Sequence, residues 1–112
     1  MKYATPVWLM AGLISWAQAP KSGYAENGKK LFVKLGCYTC HGYQGQGSSA
    51  GAKLAPNPRT AASLIAYVRR PAGTMPPFTS KVVSDAELTD IQAFLASVPA
   101  PPPAKDIPLL NQ

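Results

Sequence analysis

Two cysteines and the single histidine of the chain lie side by side, in the segment Cys37-Tyr38-Thr39-Cys40-His41. Two thiols separated by two residues and followed at once by an imidazole form the pattern of covalent haem attachment. At the start of a helix, thiols at this spacing can add to the two vinyl groups along one haem edge. The adjacent histidine then lies under the iron. The segment therefore predicts one covalently bound haem c with His41 as its proximal iron ligand.

Other uses of this cysteine spacing are less compatible with the chain. A structural zinc site takes four Cys and His ligands, and the sequence has two cysteines and one histidine. A thioredoxin-like centre needs a strand leading into the motif, whereas the residues before Cys37 have the pattern of an amphipathic helix. A disulfide or a partial metal site stays open as the minor alternative.

The first twenty residues have the composition of an export signal. Lys2 supplies a positive start, Val7 to Trp16 a short apolar core, and Ala17-Gln18-Ala19 the small residues of a cleavage site. The uncharged run from 3 to 20 is barely long enough to span a bilayer, so a retained anchor is the alternative to removal. Pro20 disfavours cleavage directly after Ala19. We expect a signal peptide at 1–19, and hence a periplasmic protein that meets the membrane only if this segment is retained.

Without residues 1–19 the chain keeps ten Lys and Arg against five Asp and Glu, a formal charge of +5. A small basic protein can meet an acidic partner, an anionic membrane surface or nucleic acid. Nucleic acid is not expected as a partner of an exported protein that lacks a basic run and interleaved aromatic residues. A positive charge that only keeps the protein soluble would explain the excess of Lys and Arg equally well.

Three longer helices are predicted from apolar spacing and capping residues. The first runs from about Tyr24 to Leu35, with Ser22 as its cap, and ends at Gly36. The second runs from 61 to 70 after Thr60. The third follows the capping box that begins at Ser84 and ends before Pro99. Since no stretch alternates as a strand does, we expect an all-α domain at 22–98.

Four prolines in the five positions from Pro99 to Pro103 predict a stiff, extended segment. Ile107, Leu109 and Leu110 lie beyond it. This Pro-rich tail, 99–112, is expected to be slack or to fold back locally, with a partner contact as the third possibility.

Met75 is the candidate for the second axial ligand of the iron. It is the only methionine outside the leader, and it lies thirty-four residues after His41, far enough to pass round a haem edge. Its surroundings, from Arg70 to Phe78, are too rich in proline and glycine for a helix, and prolines restrict a loop so that its ligand loses little further entropy. With both axial positions filled, iron transfers single electrons and binds no substrate.

These residues resemble the class I c-type cytochromes over 23–98. The resemblance rests on Cys37-x-x-Cys40-His41, Gly28-x-x-x-Phe32 before it, Leu54, Met75-Pro76-Pro77-Phe78 and the last helix, all in family order. It implies a cytochrome c fold of three to four helices around one haem, with thioether bonds from Cys37 and Cys40 and with Leu54 against the haem. It also implies that the first and last helices cross, with Gly28 at the close approach and Phe32 near Phe94 and Leu95.

One departure from the family pattern concerns the proximal histidine. Family members often have Gly-Pro-x-Leu where this chain has Gly51-Ala52-Lys53-Leu54, and the carbonyl of the proline accepts a hydrogen bond from the histidine. The carbonyl of Ala52 can still accept this hydrogen bond.

Four further side chains are candidates for binding the haem propionates: Arg59, Tyr67, Arg69 and Arg70. For each of them, a position on a solvated helix face is an equally good explanation.

The sequence thus predicts a small monohaem cytochrome c of the periplasm, an electron-transfer protein and not an enzyme. Its partners would be a redox donor and a redox acceptor of the respiratory chain, with a dehydrogenase or a terminal oxidase as candidates. A dedicated electron-transfer subunit of an exported dehydrogenase is the first alternative. A haem sensor or peroxidase-like protein, in which Met75 leaves the iron, is the less favoured one.

Overall fold

A computed structural model describes residues 23–112. The predicted leader, 1–19, and the predicted cap Ser22 lie outside the described residues. Within them the chain forms four α-helices and two 3-10 turns, with no strand, which confirms the expected all-α class. The helices are α1 (Ala25–Lys34), α2 (Tyr38–His41), α3 (Ala61–Arg69) and α4 (Asp85–Ser97), and the 3-10 turns are Ala104–Asp106 and Pro108–Leu110.

Helices α1 and α4 cross at close range, as the resemblance implies. The reason is Gly28, where a β-carbon would collide with the carbonyl oxygen of Asp90 in α4. The Asp90 carboxylate in turn accepts the backbone N–H of Tyr24 at 2.8 Å and the side-chain amide of Asn27 at 2.7 Å. Tyr24 is the N-cap of α1 and makes no capping bond of its own, so a residue of α4 satisfies this helix end.

The core lies between these helices and α3, and it contains apolar side chains alone among the described buried residues. Phe32 of α1 meets Phe94 of α4 with ring centroids 5.5 Å apart and planes tilted by 58°, a favourable arrangement for two aromatic rings. The buried apolar side chains are Leu31, Phe32, Ala55, Leu64, Val83, Leu88, Ile91, Phe94 and Leu95.

Gly36 ends α1 and delivers the cysteine motif. Its φ of +77° is a left-handed conformation that glycine adopts without a steric cost. Its N–H donates to the carbonyl of Val33 at 3.0 Å, and the N–H of Cys37 donates to that of Phe32 at 3.1 Å. These two bonds form a Schellman motif, which turns the chain directly into the first cysteine.

The other helix ends follow the sequence closely. The Thr60 hydroxyl accepts the N–H of Ser63 at the start of α3. At the start of α4, the Ser84 hydroxyl accepts the N–H of Glu87, whose carboxylate accepts the N–H of Ser84 in return, as the capping box predicts. Helix α3 ends one residue earlier than predicted, at Arg69, because Pro71 disfavours helical backbone at the residue before it.

The tail after α4 has local order of its own. The side-chain amide of Asn111 donates to the carbonyls of Ala104, Lys105 and Ile107 at 2.9 to 3.1 Å, which closes the two 3-10 turns on each other. Leu109 and Leu110 remain 80% and 64% exposed. In residues 23–112, no helix has the length and apolarity needed to cross a membrane.

Candidate functional site

A cavity of about 680 Å³ opens between the cysteine motif, α3 and the loop that precedes α4. This volume is within the range of about 300 to 1,000 Å³ typical of cofactor sites. All five residues predicted for the site line this one cavity: Cys37, Cys40, His41, Leu54 and Met75. Residues from opposite halves of the chain are therefore brought together around one space.

His41 is held in one orientation and one tautomer by the backbone of the following loop. Its Nδ1 lies 2.7 Å from the carbonyl oxygen of Ala52, which can only accept, so Nδ1 carries the proton and donates. The lone pair of a neutral His41 then resides on Nε2. This is the arrangement that a metal-binding histidine needs, and Ala52 supplies it without the proline that the family often has.

The loop from 42 to 55 is tied to the motif by short hydrogen bonds. The N–H of Gly47 donates to the carbonyl of His41 at 2.8 Å, and the hydroxyl of Ser48 donates to the carbonyl of Cys40 at 2.6 Å. Gly51 passes so close to Cys40 that a β-carbon there would meet its carbonyl group. The loop therefore forms one wall of the cavity and fixes Ala52 opposite His41.

The two cysteines lie in different surroundings: Cys37 is half-buried and Cys40 is exposed. Burial raises the pKa of the Cys37 thiol above its ordinary value, and a backbone hydrogen bond at the same residue partly offsets this.

Met75 is half-buried and lines the cavity from the loop between α3 and α4. The base of this loop is closed by a hydrogen bond of 3.1 Å from the N–H of Phe78 to the carbonyl of Val68. Near its start, the N–H of Ala72 donates to the hydroxyl oxygen of Tyr67 at 3.4 Å. The methionine thus belongs to a loop anchored on the last turn of α3.

The walls of the cavity are mainly apolar side chains drawn from α1, α3, α4 and the loops. They include Phe32, Leu35, Leu64, Val68, Ile91 and Leu95. Several of these also belong to the buried core or pack against it. A flat, apolar group bound here would complete the core, so the residues present fit a haem.

Of the four side chains considered for the haem propionates, only Arg59 and Tyr67 line the cavity. The Arg59 guanidinium lies 5.0 Å from the centre of the Tyr67 ring, a cation–π contact. Arg69 binds the Phe78 carbonyl and the Asp85 carboxylate instead. Arg70 is exposed and outside the lining. Neither Arg69 nor Arg70 lines the cavity, and two of the five N–H donors of Arg69 point to Phe78 and Asp85.

Sequence reasoning did not identify Ser48 and Gly51 as supports of the motif. The Gly- and Ser-rich composition of this segment indicates a loop, but composition alone does not show which hydroxyl reaches which carbonyl. The contact of Arg69 with Phe78 was equally hidden, since nine residues separate the two in sequence.

A helical domain that surrounds an apolar cavity lined by Cys-x-x-Cys-His defines a c-type cytochrome domain. The family model described as cytochrome c oxidase, cbb3-type, subunit III matches residues 23–95, well over half of the chain, and the chain belongs to this family. The family implies covalently bound haem with iron and a role in electron transfer. Searches of curated proteins and of solved structures give no significant match.

Proposed function

We propose that this chain carries a single haem c and transfers single electrons between redox proteins outside the cytoplasm. Cys37 and Cys40 form the thioether bonds, His41 and Met75 are the two axial ligands, and Leu54 packs against the haem. The haem-binding domain is 22–98, the tail is 99–112, and residues 1–19 are removed on export to the periplasm.

The observation that supports this best is the convergence of His41 and Met75 on one apolar cavity. The Ala52 carbonyl directs the His41 lone pair away from the loop, and the loop before α4 presents the only sulfur besides the cysteines in the described residues. When bound, haem iron supplies one-electron chemistry, and thioether ligation raises its reduction potential. The apolar walls exclude water, and the anchored loops keep both ligand side chains in place.

The partners proposed are a redox donor and a redox acceptor protein, with a dehydrogenase or a terminal oxidase as the candidates. Arg59 and Lys53 place positive charge at the cavity wall. Positive charge near the redox centre increases the rate of encounter with an acidic partner and permits a short-lived complex.

Met75→Ala tests the axial assignment. The variant should keep its haem through denaturation, because both cysteines remain, and should bind carbon monoxide when reduced, because the iron has lost a ligand. Wild-type protein should show a low-spin spectrum that does not respond to carbon monoxide. The measurement compares the absorption spectra of the two purified, reduced proteins with and without carbon monoxide. A variant whose spectrum matches wild type, before and after carbon monoxide, would show that Met75 is not a ligand.

A dedicated electron-transfer subunit is the second candidate. Two observations favour it: the matched family model is described as an oxidase subunit, and the tail presents Leu109 and Leu110 to solvent. Gentle extraction of the native protein followed by size-exclusion chromatography distinguishes the two candidates. A free carrier elutes alone, whereas a subunit elutes together with a larger redox enzyme, in a complex of defined stoichiometry.

A further inference from the structure

Arg69, at the end of α3, makes two contacts that meet at the methionine loop. Its Nη1 donates to the carbonyl oxygen of Phe78 at 2.9 Å, and its Nη2 bonds the Asp85 carboxylate at 2.5 Å. Phe78 is the third residue after Met75, and Asp85 begins α4. One guanidinium therefore bridges the end of α3, the loop and the start of α4.

The geometry of this contact uses the fork of the guanidinium. Its two terminal nitrogens point at two acceptors on different segments, which one ammonium group cannot bind in the same way. The Arg69 side chain is 21% exposed, whereas that of Asp85 is 69% exposed. The bond to Phe78 is thus the more sheltered of the two, and the ion pair mainly orients the guanidinium toward it.

The backbone of Phe78 is held on both sides by consecutive residues of α3. Its N–H donates to Val68 at 3.1 Å, and its carbonyl accepts from Arg69. Between Met75 and Phe78 the chain has Pro76 and Pro77, whose fixed φ angles leave little freedom. If Phe78 moves, Met75 should therefore move by nearly the same distance.

We propose that Arg69 is a positioning residue for Met75: its bond to Phe78 holds the loop so that the thioether stays on the iron. This inference rests on the proposed function, in which Met75 is an axial ligand. Without the Arg69 bond, the loop spends more time released, and an exogenous ligand competes more easily for the iron. Loss of one hydrogen bond to a partly exposed charged donor corresponds to about a tenfold change in this equilibrium.

The experiment measures imidazole binding to the oxidised holoprotein and the reduction potential of each variant. Arg69→Ala should bind imidazole about tenfold more tightly than wild type and show a lower reduction potential, since thioether ligation favours the reduced state. Arg70→Ala is the matched control. Arg70 is the neighbouring arginine, and among residues 23–112 its side chain makes no hydrogen bond or ion pair, so both values should stay at wild-type levels.

Two further variants separate positioning from stability. Arg69→Lys keeps the charge near Asp85 but lacks the fork, so we expect about a threefold increase in imidazole affinity. In the background Met75→Ala, adding Arg69→Ala should change imidazole affinity by less than twofold, because the residue acts through the methionine. A merely structural role would loosen the site in both backgrounds.

The inference is overturned if Arg69→Ala and Arg70→Ala have the same imidazole affinity and potential. If Arg69→Ala does not accumulate as folded holoprotein, the test uses Arg69→Lys. The inference is then overturned if Arg69→Lys binds imidazole with the same affinity as wild type. Failure of Met75→Ala to open the iron would refute the proposed function itself. An open Met75→Ala beside an unaffected Arg69→Ala would refute the role of Arg69 alone.

Discussion

At the scale of single residues, the site depends on backbone carbonyls as much as on side chains. The Ala52 carbonyl sets the tautomer of His41, and the Cys40 carbonyl accepts the hydroxyl of Ser48. Ser48 accepts the N–H of Ala50 at 3.0 Å as well, so one hydroxyl bonds both the motif and its own loop. A small polar side chain thus connects the cysteine segment to the loop that orients the histidine.

Ser48→Ala should lower the free energy of unfolding of the holoprotein by about 1 kcal/mol, since it removes two hydrogen bonds. The neighbouring change Ser49→Ala is the control, because in the described residues the Ser49 side chain is exposed and makes no hydrogen bond. Guanidinium chloride unfolding followed by circular dichroism measures both variants. Equal midpoints for the two would mean that the Ser48 contacts do not contribute.

At the scale of elements, the crossing of α1 and α4 determines where the cysteine motif begins. Gly28 permits the approach, Asp90 satisfies the start of α1, and the Schellman motif at Gly36 turns the chain into Cys37. A shift of α1 along α4 would move the first cysteine by the same amount. The helix pair is therefore the support of the attachment site.

Gly28→Ala should destabilise the holoprotein by about 1 to 3 kcal/mol, because the new methyl group meets the Asp90 carbonyl and forces the helices apart. Intrinsic helix propensity acts in the opposite direction, since alanine is favoured over glycine by about 1 kcal/mol. Lys29→Ala, at an exposed position of the same helix, serves as the control. Thermal unfolding of both variants gives the answer, and a stabilised Gly28→Ala would contradict the close approach.

At the scale of the whole molecule, positive charge exceeds negative charge, with eleven Lys and Arg against five Asp and Glu in the full chain. Lys53 and Arg59 bring part of this charge to the cavity. Long-range attraction between such a surface and an acidic partner increases the rate of encounter and is screened by salt. This distribution of charge fits the proposed encounter with an acidic redox partner.

Oxidation of the reduced protein by an anionic one-electron oxidant should slow about threefold to tenfold as ionic strength rises from 0.01 to 0.2 M, since the screening length falls. A cationic oxidant should show the opposite trend. Lys53→Gln should weaken the salt dependence more than Lys105→Gln, which removes the same charge from the tail. Stopped-flow absorption measures these rates. Identical salt dependence for both variants would exclude a local effect of Lys53.

The five residues that line the cavity as proposed haem contacts, the all-α class and the helix caps at Thr60 and Ser84 could be predicted from the sequence alone. They depend on local chemistry: the spacing of two thiols and an imidazole, the period of apolar residues, and hydroxyls that bond backbone three residues on. Gly36 belongs with them, because its left-handed φ is a local property.

Only the tertiary structure decided which residues support the site. The pairing of Asp90 with the start of α1 and that of Arg69 with Phe78 join positions whose separation in sequence gives no periodic signal. The family resemblance had already named the Ala52 carbonyl as a candidate acceptor for His41, and the structure shows this bond at 2.7 Å. Among four basic or phenolic candidates, it also placed only Arg59 and Tyr67 at the cavity. Such contacts arise from how the packed helices orient their loops, which single-residue chemistry does not specify.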